Sequence, residues 1–142
     1  MAIHLLAKPY YLWRCMAFTF GKKEKLKSKK LIEKLFLEGE SVSVFPLKML
    51  YLQITHNDGS QIKTGVTVSK RNFKKAVDRN RIKRLLREAY RFNKAEYFNN
   101  ITSSYALMIL YIGKDTTNFD SVNSKIKLLL SAFLEKISKD KN

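Results

Sequence analysis

The sequence predicts an α+β fold of one sheet covered by helices, in the order α-β-β-β-α-β-α. Three patterns point there. Ile62, Thr64, Val66 and Val68 alternate with Lys63, Gly65, Thr67 and Ser69, the period-2 signature of a half-buried strand. Tyr105 to Ile112 is apolar throughout, as expected of a strand buried on both faces. Val122, Ile126, Leu129, Leu130, Phe133 and Ile137 recur at helical spacing and give a final helix one apolar side.

The other elements follow from local chemistry. Ser28 fits an N-cap, and Leu31, Ile32, Leu35 and Phe36 form a helical stripe after it. Gly39 stands where a left-handed C-cap is expected. Ser41 to Phe45 reads as a short strand, ended by Pro46 at a sheet edge or bend. Leu47 to Thr55 reads as the second strand, and Asn57-Asp58-Gly59-Ser60 as a hairpin turn into the third. A basic helix comes next, then a polar loop from Asn99 to Ser104 and the apolar strand. The Gly113 to Phe119 loop leads into the last helix near Ser121, and Lys139 to Asn142 is a polar, frayed tail.

A chain of 142 residues suits one domain, expected at 21–138, with 1–20 as an extension. That extension is a poor signal peptide, because it lacks an early positive region and Pro9 and Arg14 break its apolar run. It is also too short in apolar stretches to span a bilayer. It is either a disordered extension or sequence upstream of a natural start at Met16, and intact mass of the native protein decides between Met1 and Met16 as the start.

The charge bears on function more than the fold class does. Lys and Arg number 28 against 12 Asp and Glu, a net charge of +16. Such a chain repels itself when compact, and nucleic acid relieves the repulsion while releasing condensed counterions. Cys15 is the only cysteine, which leaves no internal disulfide and no cysteine-based metal site, and suits a reducing cytosol. His4 and His56 lack ligand spacing. No Gly-rich phosphate loop or His and carboxylate constellation suggests catalysis by side chains.

Ser69 to Lys94 concentrates the charge, with eleven Lys or Arg against Asp78 and Glu88. At about 100° per residue, Arg79, Lys83, Arg87 and Arg91 form one line, with Asn80 and Arg84 beside it. Ile82, Leu85, Leu86, Ala89 and Phe92 fall on the other side. A solvated face normally mixes signs, since like charges one turn apart repel. Asp78 is expected at the N-cap, with the helix starting near Arg79 and its N–H groups turned toward a phosphate. Arg79 and Arg81 offer bidentate phosphate contacts, and Asn80 can meet a base edge or a 2′-OH.

Gly65-Val66-Thr67-Val68-Ser69-Lys70-Arg71, then Ala76-Val77, then Arg79-Asn80-Arg81-Ile82-Lys83-Arg84-Leu85-Leu86-Arg87-Glu88 closely resembles the signature of the bacterial ribonuclease P protein family. Leu26, Phe36, Gly39 and Ser41-Val42 extend the resemblance upstream, so it covers Leu26 to Lys136. It implies a two-layer α+β sandwich with a four-stranded sheet and a left-handed crossover, like the second domain of a small-subunit ribosomal protein. It implies that Lys70, Arg71, Arg79, Asn80, Arg81, Lys83, Arg84 and Arg87 contact the catalytic RNA. It also implies a cleft between sheet and first helix for the single-stranded leader of precursor tRNA, matched here by Ile32, Phe36 and Tyr51.

The implied partners are ribonuclease P RNA and precursor tRNA in the cytoplasm, with neither membrane nor DNA. Chemistry would belong to the RNA and its Mg²⁺, the protein binding no cofactor and being inactive alone. Two departures stand out: Ile32 occupies a position usually aromatic, and Arg71-Asn72-Phe73-Lys74 replaces the usual loop. The alternatives are a ribosomal or ribosome-assembly protein, a self-sufficient nuclease, for which no residues are equipped, and a helix-turn-helix protein, which would need a helix just before the basic one.

Overall fold

The computed structural model describes residues 20–99 and 101–140, so Cys15, Met16 and nearly all of the expected extension lie outside the described residues. A 3₁₀ turn at Lys22–Glu24 precedes α1 (Lys29–Glu38), β1 (Glu40–Val44), β2 (Leu47–Gln53), β3 (Ile62–Val68), α2 (Ala76–Phe98), β4 (Tyr105–Tyr111) and α3 (Phe119–Asp140). The order is the one the sequence predicts. Asn118 moves the start of α3 ahead of Ser121, because its Oδ1 accepts from Ser121 N at 2.9 Å and caps the helix. The helix also takes in Lys139 and Asp140, which the sequence assigns to a frayed tail.

The four strands lie in the order β1-β2-β4-β3. β1 and β2 form an antiparallel hairpin through Phe45-Pro46, whose peptide bond is cis. β4 is antiparallel to β2 and parallel to β3. The expected hairpin between β2 and β3 is therefore wrong, although its turn is real. Gly59 has φ 79°, and Asp58 Oδ1 accepts from Ser60 N at 3.0 Å. The turn sends the chain past an empty lane that β4 later fills. β4 takes the interior lane because it is the strand apolar on both faces, with only Leu110 less than buried.

Strand parity divides the core in two. Leu47, Met49 and Tyr51 of β2 join Tyr105, Leu107, Ile109 and Tyr111 of β4 against α2 and α3. All six predicted apolar positions of α3 are buried there. Phe133 is fully buried and meets the rings of Tyr51, Tyr105 and Phe98 edge-on at 5.1, 5.4 and 6.0 Å. The opposite face is covered only in part by α1, where Leu26 and Leu35 pack with Ala106 and Met108.

Ser28 caps α1 as predicted, its Oγ accepting from Leu31 N at 3.3 Å. Gly39 does not adopt the left-handed conformation expected of it. Its φ and ψ are −68° and 152°, which any residue can adopt. Close packing is what demands glycine, since a Cβ there would lie 2.3 Å from Leu35 O and 3.1 Å from Tyr51 O. Residues Phe20 to Leu26 strap the outer edge of β3, with Leu26 N donating to Thr64 O at 3.0 Å. Glu24 of this strap pairs with the largely buried Lys94 of α2, and the Phe20 ring packs edge-on against Tyr90 at 5.4 Å.

Gly39→Ala should destabilise the fold by about 1–3 kcal/mol, as overpacking against fixed backbone does. Gly21→Ala, with nothing within 4 Å of its added Cβ, should change stability by less than about 0.5 kcal/mol. Urea unfolding midpoints separate the two, and equal midpoints would remove the packing explanation for Gly39.

Candidate nucleic-acid interface

The start of α2 is set by the loop after β3. Phe73 is buried and packs against the Tyr111 ring at 5.9 Å, while Phe73 N donates to Ser69 O at 3.1 Å. Asn72 Nδ2 donates to Ile112 O at 3.3 Å and Gly113 O at 3.2 Å, tying the loop to the end of β4. The unusual sequence Asn72-Phe73 is thus what gives this loop its shape. Between these anchors, Lys70, Arg71, Lys74 and Lys75 are left exposed.

Helix α2 begins at Ala76 with Lys75 as N-cap, and no side chain caps it. Asp78 is therefore not the N-cap but the third helical residue. An acid in the first turn suits the helix dipole as well as an acid at the cap does, so composition alone cannot separate the two. The unsatisfied N–H groups at this end lie among the loop's cations, an arrangement that favours a phosphate.

The face assignment also changes. Ile82, Leu86, Ala89, Tyr90 and Asn93 form the buried seam. Measured from Leu86 at about 100° per residue, Arg79 lies about 20° off the seam, and Lys83, Arg87 and Arg91 climb outward by about 40° at each step. The predicted basic line therefore runs along the shoulder of the helix and is half-buried, while Asn80, Arg81 and Arg84 face outward. Phe92 falls about 120° from the seam and is 43% exposed, contrary to its expected place on the apolar side. Asn93 and Lys94 enter the interior because both have partners. Asn93 Nδ2 donates to Ala89 O and Asn123 Oδ1, each at 2.7 Å.

Arg79 has internal work as well. Its guanidinium donates to Phe73 O at 2.8 Å and Lys74 O at 2.9 Å, closing the loop onto the helix. The ion pairs among the described residues join Lys63 to Asp58, Arg91 to Glu88 and Lys94 to Glu24. Lys70, Arg71, Arg79, Arg81, Lys83, Arg84 and Arg87 have no such carboxylate partner there. Their charge is uncompensated on one end and shoulder of α2.

The partly covered sheet face forms a second concave surface. Ile32 and Phe36 share a flank of α1; Ile32 packs into the small core with Leu50 and Leu110, and Phe36 is 51% exposed. Tyr51 does not belong to this cleft. It faces α2 and α3, is buried, and donates its hydroxyl to Glu40 Oε2 at 2.8 Å. The expectation fails on parity: Lys48 and Leu50, not Tyr51, point to the α1 side of β2. Lys48 aligns with Leu110, which aligns with Thr67, so these side chains cross the open face in one row. Alternation along β2, counted from its buried Leu47 and Met49, is the signal that could have identified Lys48.

Among the described residues, no group of three His, Cys, Asp or Glu could hold a metal ion, and no helix is long and apolar enough to cross a membrane. His56 is buried, with Nε2 2.8 Å from Tyr105 O, as a structural side chain would be.

The family profile described as Ribonuclease P matches residues 20–134. The ribonuclease P protein component of Chlorobium phaeobacteroides is 34% identical over 125 residues, which cover 79% of this chain and 86% of that one. That of Porphyromonas gingivalis is 42% identical over 78 residues, 54% of this chain, so the chain spans 57% of that relative's length. The solved ribonuclease P protein of Thermotoga maritima superposes with a TM-score of 0.60 at 24% identity, over 76% of this chain and 96% of that one. The Staphylococcus aureus protein also gives 0.60, at 16% identity over 77% and 94%. At these identities the two structures establish a shared fold.

The two classes of arginine should separate by experiment. Arg79→Ala should lower stability by about 1–3 kcal/mol, because two carbonyls lose a charged donor. Arg81→Ala and Arg84→Ala should each stay within about 0.5 kcal/mol of the parent. Thermal and urea unfolding of the three variants measure this, and a neutral Arg79→Ala would show that its hydrogen bonds do not hold the loop.

Proposed function

Because the chain belongs to the ribonuclease P protein family, we propose that it is the protein subunit of a ribonuclease P holoenzyme, acting in the cytoplasm on precursor tRNA. The observation that carries this is the set of cations at the start of α2 with no carboxylate partner among the described residues. Phosphates of the catalytic RNA complete their electrostatics. Arg81 and Arg84 are free to form bidentate contacts, and Asn80 beside them can read a 2′-OH or base edge. Arg79 contributes charge while its guanidinium holds the loop bearing Lys70 and Arg71.

The open sheet face receives the single-stranded leader. Phe36 offers an aromatic surface for one base, and Lys48 supplies a cation on the facing sheet. Ile32, lacking a ring, packs but does not stack. Hydrolysis rests with the RNA and its Mg²⁺, and the protein lowers the local negative potential around that RNA so that less Mg²⁺ is needed.

Reconstitution with ribonuclease P RNA and a precursor tRNA tests the proposal. Adding the chain should restore cleavage at Mg²⁺ concentrations where the RNA alone is slow, and the Arg81→Ala/Arg84→Ala variant should shift that requirement upward. No effect of the chain across the Mg²⁺ titration, or cleavage by the chain without RNA, would refute it. Phe36→Ala should weaken binding of leader-bearing precursor by about 1–3 kcal/mol and leave mature tRNA unaffected. Equal losses for both substrates would take the leader out of this cleft.

A further inference from the structure

The open sheet face continues past the ends of its strands. Beyond the row of Lys48, Leu110 and Thr67, Phe45 is 70% exposed at the β1–β2 turn. Ile112, two residues past Leu110 and roughly 7 Å further on, is 38% exposed. Neither side chain enters either apolar core. A single exposed apolar side chain is ordinary and asks for no explanation. Here two are joined through one braced piece of backbone. Ile112 N donates to Pro46 O at 2.8 Å, and a Cβ on Gly113 would lie 2.9 Å from Pro46 Cβ, so the turn is seated on the end of β4. Asn72 Nδ2 donates to the carbonyls of Ile112 and Gly113, which ties the same backbone to the loop after β3.

Free cations flank this apolar rim. Lys70 and Arg71 are exposed on the loop after β3, and Lys48 stands in the adjoining row. None of the three has an ion pair among the described residues. Two strand spacings, roughly 10 Å, separate β2 from β3 here, so a base at Phe45 and a phosphate at the loop can belong to one strand. An exposed ring beside unpaired cations suits single-stranded nucleic acid, with its base on the ring and its phosphate on the cation. A duplex keeps its bases stacked inside and offers no face to such a ring.

We infer that Phe45, backed by Ile112, is a second base-stacking platform for the leader of precursor tRNA, at the end of the cleft nearest the catalytic RNA. Continuity selects the leader as occupant, because the rim adjoins the open face and not the face closed by α2 and α3. The order along the leader follows from the sheet. Helix α1, which carries Phe36, packs over Ala106 and Met108, whereas Phe45 shares its rim with the loop that starts α2. The leader departs from the cut, which lies in the RNA docked at that start. Phe45 therefore meets a nucleotide closer to the cut than the one at Phe36.

This inference rests on the proposed function, and one set of measurements tests the two separately. Affinity for precursor tRNA is measured for holoenzyme reconstituted with the parent, Phe45→Leu, Phe45→Tyr, Phe36→Ala and Arg81→Ala/Arg84→Ala chains. Urea midpoints confirm that each is folded. Leucine keeps the apolar bulk without a ring face, and tyrosine keeps the face. Phe45→Leu should weaken binding about 5- to 150-fold, the loss of one stacked base, while Phe45→Tyr holds the parental affinity. Mature tRNA should bind all the Phe45 forms alike. As the leader is shortened from its 5′ end, the Phe36→Ala defect should vanish first and the Phe45→Leu defect later. Parental affinity of Phe45→Leu beside a weakened Phe36→Ala overturns the second platform alone. A loss shared by Phe45→Tyr assigns the ring to packing, and one shared by mature tRNA assigns it to the catalytic RNA; either overturns the platform. Defects that vanish in the reverse order overturn its placement next to the cut. Parental affinity in every variant, the arginine pair included, overturns the proposed function with it.

Discussion

The burial of β4 on both faces governs the rest of the molecule. A strand reading Tyr-Ala-Leu-Met-Ile-Leu-Tyr can shed its apolar surface only in an interior lane with side chains above and below. Lying between β2 and β3, it runs antiparallel to the first and parallel to the second. A parallel connection has to travel the length of the sheet and return, and α2 is that return path. Helix α2 therefore starts where β3 ends, with the Lys70 to Lys75 loop and its free cations at one rim of the sheet. The position of the basic surface is a consequence of how one apolar strand is buried.

Charge is arranged around that scaffold by side-chain chemistry. Arginine appears where a cation has two tasks, as in Arg79, whose planar fork closes a loop while its charge remains. Lysine dominates the flank of α1, where Lys22, Lys25, Lys27, Lys30 and Lys34 have no ion-pair partner among the described residues and Lys63 pairs with Asp58. Lys94 is the exception that enters the core, and it does so with Glu24 as its partner. Like charges held this near one another are unfavourable in the free protein, and apolar anchors such as Leu26, Leu35 and Phe73 keep them together.

Periodicity made most of this legible in the sequence. All seven helices and strands are visible in it, as are the buried positions of α3 and the Ser28 cap, because each depends on spacing or local chemistry. Several misreadings share a cause: they concerned what another part of the chain does. Asn57 to Ser60 carries the chemistry of a hairpin turn, but whether β2 and β3 pair depends on β4. Gly39 has the sequence context of a conformational glycine and is a packing glycine, crowded by the Leu35 carbonyl one turn back and by the Tyr51 carbonyl of β2. The resemblance places Tyr51 in the cleft, and the parity of β2 removes it and brings in Lys48. Phe73 and Asn72 stood out only as a departure, and their anchoring to β4 is not written in their neighbours.

A net charge of +16 on so small a chain links folding to its partner. The self-repulsion is part of the free protein's stability, and any polyanion that binds only the folded form removes some of it. By mass action, partner at 100 times its dissociation constant adds about 2.7 kcal/mol, a large share of a small domain's total stability. Salt then acts in two directions: it screens repulsion within the free protein, and it weakens the contacts that replace that repulsion in the complex. Stability of the free chain should therefore rise with ionic strength over the same range in which the complex loosens. That opposition follows from surfaces shaped for a partner, because a surface with its charges paired internally would show neither response strongly.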